Sequence, residues 1–381
     1  MFPALPFRLF VNPTPGLPGL VVLPEAGFRR ARATITAWPG YAPSPLRALD
    51  AAAAAAGIAV LAVKDETARL GLASFKALGG AYAVGEALAD ARARDPAGRF
   101  TVTAATDGNH GRAVAWGARL AGAACVIFLH AAVSPERARA IAAEGAVLRI
   151  VAGSYDDAVR AAADAAAQEG FLLISDTSWQ GYTETPRRVM QGYRVLAEEA
   201  LTQFAAAHGG PPSHVFVQAG VGGLAASMSV QCRAQCRPAP ALIVCEPEGA
   251  ACLLASAEAG EWRALPAAPD TLMAGLACGE PSLLAFQELG RAAHGFMAIP
   301  DAVIGPALRL LAGAGIVAGD SAVAGLAACL LAAADPAARA ALGLSEAARV
   351  LVIATEGATD PARYEALAGF APGGLPPDGR M

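Results

Sequence analysis

Lysine is almost missing from this chain: of its 29 basic residues only Lys64 and Lys76 are lysine, and all the others are arginine. Charge is sparse altogether, at 16% of residues against 55% apolar, so there is ample material for a core and disorder is excluded as the dominant state. The 29 basic and 33 acidic side chains come to a net −4 without blocks of either sign, so the basic patch that a nucleic-acid partner would require is lacking. Mean hydropathy reaches +0.42, but alanine and glycine inflate it. The longest uncharged stretch, 215–232, is interrupted by Gly220–Val221–Gly222–Gly223 and carries two glutamines, which makes it a poor membrane span. The opening MFPALPFRLF has two prolines and no basic-then-apolar export pattern. Seven cysteines, an odd number without metal-ligand spacing, suit a reducing compartment. Cys232 and Cys236 share one helix face and read as core packing, with no second pair at zinc distance. The expectation is a soluble cytoplasmic protein with no nucleic-acid partner, membrane partner or metal.

That scarcity draws attention to the two lysines. Arginine cannot form a Schiff base, because its guanidinium stays protonated. A lysine retained in an arginine-using chain either survives by accident or is needed for its amine.

Along the chain, the first forty-five residues are proline-rich and read as an irregular lead-in. Pro45–Gly57 reads as an alanine-rich helix, 58–66 as a short apolar strand, and Ser74 to about Arg94 as a helix. Four short apolar strands follow, at 100–106, 124–130, 146–151 and 171–176. Helical stretches at 111–121, 134–144 and 156–168 lie between them, the last two with Ser or Asp caps. Such alternation means βαβ units and a parallel sheet. A long amphipathic helix, about 183–207, leads to a second series with strands at 214–220, 241–247 and 349–357. The expected fold class is α/β. Two domains with parallel-type sheets are expected, a large one from 1–99 and 181–381 and a smaller one, 100–180, inserted into it.

Three motifs stand where ligands bind in such folds. Gly220–Val221–Gly222–Gly223–Leu224 follows a buried strand and opens a helix, where backbone N–H groups and the helix dipole favour a phosphate. It lacks the spacing and acidic partner of a dinucleotide site, so a monophosphate, or a turn without ligand, is the reading. Asp107, Gly108, Asn109 and His110 crowd the turn after the strand 100–106, at the carboxyl end of the sheet. Asp176 ends the fourth strand of the same series. Each Asp reads as an acid–base group, with a helix cap as the alternative. Glu246 after its strand is either structural or site-lining, and Asp320 and Asp360 read as loop ligands for backbone donors.

SFKALGGAY (74–82), the Asn109 loop, GVGGL (220–224) and IATEG (353–357) come in an order and spacing that resemble the tryptophan-synthase-β-like, fold-type-II pyridoxal-phosphate enzymes over nearly the whole chain. The resemblance implies pyridoxal 5'-phosphate as cofactor and Lys76 as its Schiff-base amine. It also implies Asn109 beside the phenolic oxygen, Gly220, Val221, Gly222, Gly223 and Leu224 around the phosphate, and Thr355 against the pyridine nitrogen. A homodimer is implied as well. Within that family, ATDGNHGR, SDTSWQGYTETPRRVMQGY and ATEGATDP look like the diaminopropionate ammonia-lyases, which form pyruvate and two ammonia from 2,3-diaminopropionate. Serine and threonine dehydratases usually carry serine where this chain has Asp107, in the loop that holds the substrate carboxylate. An added negative charge there would repel a carboxylate unless the substrate also brings a positive one. Lys76, Asp107 and Asp176 are thus the expected catalytic groups, and Asp107, Gly108, His110 and Asp176 the expected substrate contacts. A serine/threonine dehydratase and a non-catalytic ligand-binding relative are the rival readings. Lys64 is expected to be dispensable for chemistry. Cys252 and Cys278 bracket a Gly/Pro-containing segment near the site mouth and read either as free thiols or as a disulfide clamp.

Overall fold

The computed structural model describes residues 2–16, 19–106 and 108–374, which form eleven strands in two sheets. β1 (Arg8–Val11), β2 (Leu46–Ala48), β3 (Val60–Asp65), β8 (His214–Gln218), β9 (Ala241–Pro247), β10 (Gly295–Ile299) and β11 (Arg349–Ala354) make a seven-stranded sheet in the order β1-β10-β9-β8-β11-β3-β2. β4 (Thr101–Thr106), β5 (Ala124–His130), β6 (Val147–Val151) and β7 (Leu172–Leu173) make a four-stranded sheet in the order β6-β5-β4-β7. The small sheet is parallel throughout. The large one is parallel except at its two edges, where β1 and β2 run antiparallel to their neighbours.

Each central strand of the large sheet is buried on both faces, as a sheet covered by helices requires. In β8, Val215 and Val217 join one apolar layer and Phe216 the other. In β11, Leu351 and Ile353 alternate in the same way with Val350 and Val352. The first layer runs on without a break into the small sheet, through Val102, Ala104, Ile127 and Leu129. The outer face of the small sheet packs Ala105, Val126 and Phe128 against Ala158, Ala162 and Ala165 of the helix Tyr155–Glu169.

Several boundaries differ from the sequence reading. The lead-in is not irregular: it supplies the edge strand β1 and the helix Glu25–Thr36, which starts directly after Pro24. Scattered prolines hide both elements, yet the fixed φ of proline suits a helix start and an edge position. Residues 46–48 are an edge strand, and the alanine-rich helix spans only Asp50–Ala56. β10 carries no alternating pattern because both its faces are covered, and the sequence reading passes over it. β7 is two residues long rather than six. Among the described residues no single helix is long and apolar enough to cross a membrane. The bent pair Asp320–Ala334 and Pro336–Leu342 meets the criterion only when joined across its 109° bend.

The helix Lys76–Arg94 begins at the site and is wedged between neighbours. It crosses the helix Glu184–His208 so closely that a Cβ on Gly192 would stand 2.2 Å from the Leu78 carbonyl oxygen. Behind it lies a cluster of buried charges. The Lys64 ammonium, fully buried, donates to the Ser44 carbonyl at 2.7 Å, to Glu199 Oε2 at 2.7 Å and to Gln203 Oε1 at 2.8 Å. Three N–H donors thus meet three acceptors, a geometry the planar guanidinium fork of arginine does not reproduce. Arg69 grips Glu66 through Nε and Nη2 and also reaches Glu199. Burial alone would raise the Glu199 pKa, but the Arg69 and Lys64 bonds hold it below its ordinary value.

Lys64 is therefore a folding residue. Lys64→Met should cost roughly 3–5 kcal/mol in denaturant unfolding, because a buried carboxylate loses its partner. Lys64→Arg should also destabilise, while kcat per folded molecule stays at the wild-type level in both. A Lys64→Met protein of wild-type stability would contradict this assignment.

Candidate active site

Lys76, Asn109, Asp176, Gly220 to Leu224 and Thr355 all line one cavity of about 560 Å³. It opens where the carboxyl ends of the parallel strands of both sheets converge, as the connectivity of such sheets dictates. Lys76 follows β3, the glycine loop follows β8 and Thr355 follows β11, and these three strands lie side by side in the large sheet. Asn109 follows β4 and Asp176 follows β7, which are neighbours in the small sheet.

Backbone pairing sets the position of Lys76. Phe75 N–H donates to the Thr355 carbonyl at 3.2 Å and Gly357 N–H to the Ala73 carbonyl at 2.9 Å. The segment before Lys76 is thereby zipped onto the one that carries Thr355. Ala73 holds φ 54° to make that approach, an unusual value for a residue with a Cβ. The amine of Lys76 donates to Asp176 Oδ2 at 2.5 Å, and Tyr155 donates to Oδ1 at 3.3 Å. Burial by itself would raise the Asp176 pKa, but His110, Lys76 and the Tyr155 hydroxyl together hold it well below the usual carboxylate range. Asp176 is thus an anion at working pH.

The other side chains are fixed by hydrogen bonds. Asn109 donates through Nδ2 to Glu356 Oε2. Gln218 Nε2 donates to Thr355 Oγ1 at 2.9 Å, so the Thr355 hydroxyl keeps its own proton for a further acceptor. Gly222 takes φ 97° as the N-cap of the helix Gly223–Gln235, which turns backbone N–H groups toward the cavity end.

Two expected substrate contacts, Gly108 and His110, are not on the wall of this cavity. His110 is buried behind Asp176: its Nε2 meets the Ile174 carbonyl at 2.7 Å and its Nδ1 lies 3.9 Å from Asp176 Oδ2. A carbonyl only accepts, so Nε2 carries a proton and Nδ1 faces the carboxylate. Asp107 lies outside the described residues. Glu246 is structural: wholly buried, it accepts the Leu253 and Leu254 N–H groups at 2.8 Å each, at the start of the helix Cys252–Ala259. Asp360 caps the helix Pro361–Ala368 through Arg363 N–H, and Asp320 is held by the Arg363 guanidinium at 2.5 Å. None of the seven cysteines is joined in a disulfide. Cys252 and Cys278 flank Gly220, the one 3.8 Å from its carbonyl and the other 3.0 Å from the position a Cβ would take. The sequence reading missed Tyr155, Gln218 and Glu356. Only Glu356, inside the IATEG motif, carried a signal that could have found it.

The family model for "Pyridoxal-phosphate dependent enzyme" matches residues 37–356, and the chain belongs to that family. Two curated relatives are both diaminopropionate ammonia-lyases. The one from Escherichia coli (strain K12) is 37% identical over 346 residues, covering 85% of this chain and 87% of its own. The one from Salmonella typhimurium is 36% identical over 357 residues, covering 86% and 88%. Among solved structures, Escherichia coli diaminopropionate ammonia lyase in complex with an aminoacrylate-PLP azomethine reaction intermediate superposes with a TM-score of 0.89 at 34% identity, covering 97% of this chain and 98% of that one.

The residues present suit the family's cofactor, pyridoxal phosphate. One cavity combines an amine at Lys76, a helix N-terminus behind Gly222 for a phosphate, and a hydroxyl proton at Thr355 for a ring nitrogen.

Burial raises the Glu246 carboxyl to about 8 against the pull of its two amides. An unfolded glutamate loses its proton near about 4.3, so the folded chain holds an extra proton between those values and stability falls as pH rises from about 5 toward 8. In Glu246→Gln that part of the slope should vanish in denaturant unfolding measured across pH. An unchanged slope would assign the proton elsewhere.

Proposed function

We propose that this chain is a pyridoxal-phosphate-dependent ammonia-lyase that converts 2,3-diaminopropionate and water into pyruvate and two ammonia. The observation that carries the reading is the ionised Asp176 beside Lys76 in the cavity, an anionic position suited to a substrate with a second ammonium group. The kinship with enzymes bearing that name supports it.

When bound, pyridoxal phosphate supplies the electron sink that acidifies the hydrogen on the substrate's α-carbon. The side chains supply the rest. Lys76, once the substrate's amine had replaced it on the cofactor, would act as the base that takes the α-proton, and the ionised Asp176 would hold the ammonium so formed. An amine leaves far more readily as neutral ammonia than as an anion. Asp176 and Asp107 keep the β-nitrogen protonated until it departs. Thr355 offers the ring nitrogen a neutral donor, which withdraws less charge than an acid would and favours prompt elimination over transamination. Tyr155 on the cavity wall and His110 behind it orient Asp176. Residues 1–99 and 181–381 act as the cofactor-binding domain and 100–180 as the small domain, in a cytoplasmic homodimer. A serine/threonine dehydratase is the rival. Its hydroxy substrates bring no second cation to match Asp176, and a higher turnover of serine than of 2,3-diaminopropionate would favour it.

Lys76→Ala should abolish turnover together with the visible cofactor band that borohydride reduces in the wild type, with the fold intact by circular dichroism. A retained band would remove Lys76 from its role. Asp107→Asn and Asp176→Asn should keep the cofactor yet lose about 10²–10⁴-fold in kcat. The two losses should differ between D- and L-substrate, since two acids set on opposite faces of a planar adduct would meet opposite α-hydrogens. Small, equal losses on both enantiomers would exclude both residues.

A further inference from the structure

We propose that the Tyr193 hydroxyl is a positioning group for the Lys76 amine, a second hydrogen-bond partner that aims it whenever the cofactor releases it; this rests on the reading above that Lys76 carries the cofactor and serves as the base. Tyr193 lies on the helix Glu184–His208, lines the cavity and is 1% exposed. Among the described residues its Oη makes no hydrogen bond of ordinary length. A buried tyrosine hydroxyl nearly always finds a partner, and phenylalanine would fill the same space without an orphaned polar atom. A hydroxyl left over at a cavity wall is explained by a partner that comes and goes.

The packing of the ring identifies that partner. Gly79, three residues after Lys76 and so on the same face of its helix, presses on one edge: a Cβ there would stand 2.4 Å from Tyr193 Cε1. The other edge faces Gly223 of the glycine loop, where a Cβ would stand 3.7 Å from Cε2. The Phe75 ring packs against it with centroids 4.7 Å apart. The Lys76 amine stands 6.0 Å from the Tyr193 ring centroid while it donates to Asp176 Oδ2 at 2.5 Å. Burial raises the phenol's pKa. The charge of Lys76 opposes that shift and the charge of Asp176 adds to it, so both groups lie close to the hydroxyl, which stays neutral at working pH. Asp176 only accepts, and as an anion it favours the ammonium. A neutral hydroxyl accepts an N–H from amine and ammonium alike, so it can hold the nitrogen through the gain of a proton. With one N–H at Asp176 and another at Tyr193, rotation about the Cε–Nζ bond stops and the remaining tetrahedral position of the nitrogen is aimed.

The test uses holoenzyme of the wild type and of Tyr193→Phe, with Lys76→Ala and the double variant beside them. Tyr193→Phe should be at least as stable as the wild type, because it removes an unsatisfied buried group, and should keep its cofactor content. Its kcat on 2,3-diaminopropionate should fall about 10–100-fold with KM near the wild-type value, the cost of a misaimed group. Deuterium at the α-carbon should slow it more than it slows the wild type, because the step that uses the amine becomes limiting. Without any substrate, the pH midpoint of the cofactor's visible band should fall by about 0.5–1 unit, as the Lys76 nitrogen loses a dipole that favours its cationic form. In the Lys76→Ala background, removing the hydroxyl should leave the affinity for pyridoxal phosphate unchanged, since the amine it holds is gone. The proposal is overturned if either kcat or the midpoint of Tyr193→Phe stays at the wild-type value. It is overturned equally if the double variant binds the cofactor more weakly than Lys76→Ala, which would put the hydroxyl on the phosphate. Lowered stability of Tyr193→Phe would make the hydroxyl a structural group and overturn it too. If Lys76→Ala retains the band, the reading of Lys76 fails instead. The midpoint needs no substrate, so it reads Tyr193 whether or not 2,3-diaminopropionate is turned over.

Discussion

Four buried charges, Lys64, Glu66, Arg69 and Glu199, hold the cavity in place from behind. Two cations and two anions removed from water tolerate no missing member, because any one left over is an uncompensated charge in a poor solvent. Lys64 and Glu66 sit at the end of β3, Arg69 on the turn that follows, and Glu199 on the long helix Glu184–His208. The cluster therefore clamps the start of the segment leading to Lys76 onto the helix that carries Tyr193, over whose ring the Lys76 amine lies at 6.0 Å. Between clamp and lysine the chain takes two left-handed steps without glycine, at Leu70 and Ala73. Such conformations persist where the surroundings over-determine them. Here the clamp fixes one end and the pairing with Thr355 and Gly357 the other.

With Lys76 anchored, the remaining chemistry comes from the meeting of two sheets. The large sheet provides the amine, the glycine loop and the threonine hydroxyl, all groups suited to holding a cofactor. The small sheet provides Asn109, Asp176 and Tyr155, and with them the carboxylate beside Lys76. The apolar layer that runs from one sheet into the other keeps the two sets in register. Asp176 stays ionised despite its burial because cations and donors from both sides surround it. Its charge state is thus a property of the junction.

Much of this was legible in the residues. The alternation of short apolar runs with alanine-rich helices announced parallel sheets, and most strands fall within a residue or two of their apolar runs. Lys76, Asn109, the loop at 220–224 and Thr355 sit in motifs whose position after a strand already placed them at a sheet's carboxyl edge. Other features left no local mark. β10 is buried on both faces and shows no alternation, and β1 and the helix Glu25–Thr36 hide among prolines. Tyr155 comes from the start of an ordinary helix and reaches the cavity only because that helix packs against β4 and β5. Glu246 occupies a strand end like the functional residues do, yet it turns away from the cavity to cap a helix.

The scarcity of lysine shows where the division falls. Sequence by itself determined that two amines were kept in an arginine-rich chain and that one of them opened a glycine-rich helix after a strand. It also determined the parallel α/β class, because the period of apolar residues is a local property that the pleat and the helix impose directly. What each amine does was decided only by tertiary structure. Lys64 and Lys76 are twelve positions apart, but the first points into the protein and satisfies three acceptors while the second points into a cavity beside Asp176, one hundred residues further along the chain. Which acceptors converge on an ammonium depends on how distant strands and helices are brought together, and packing alone sets that.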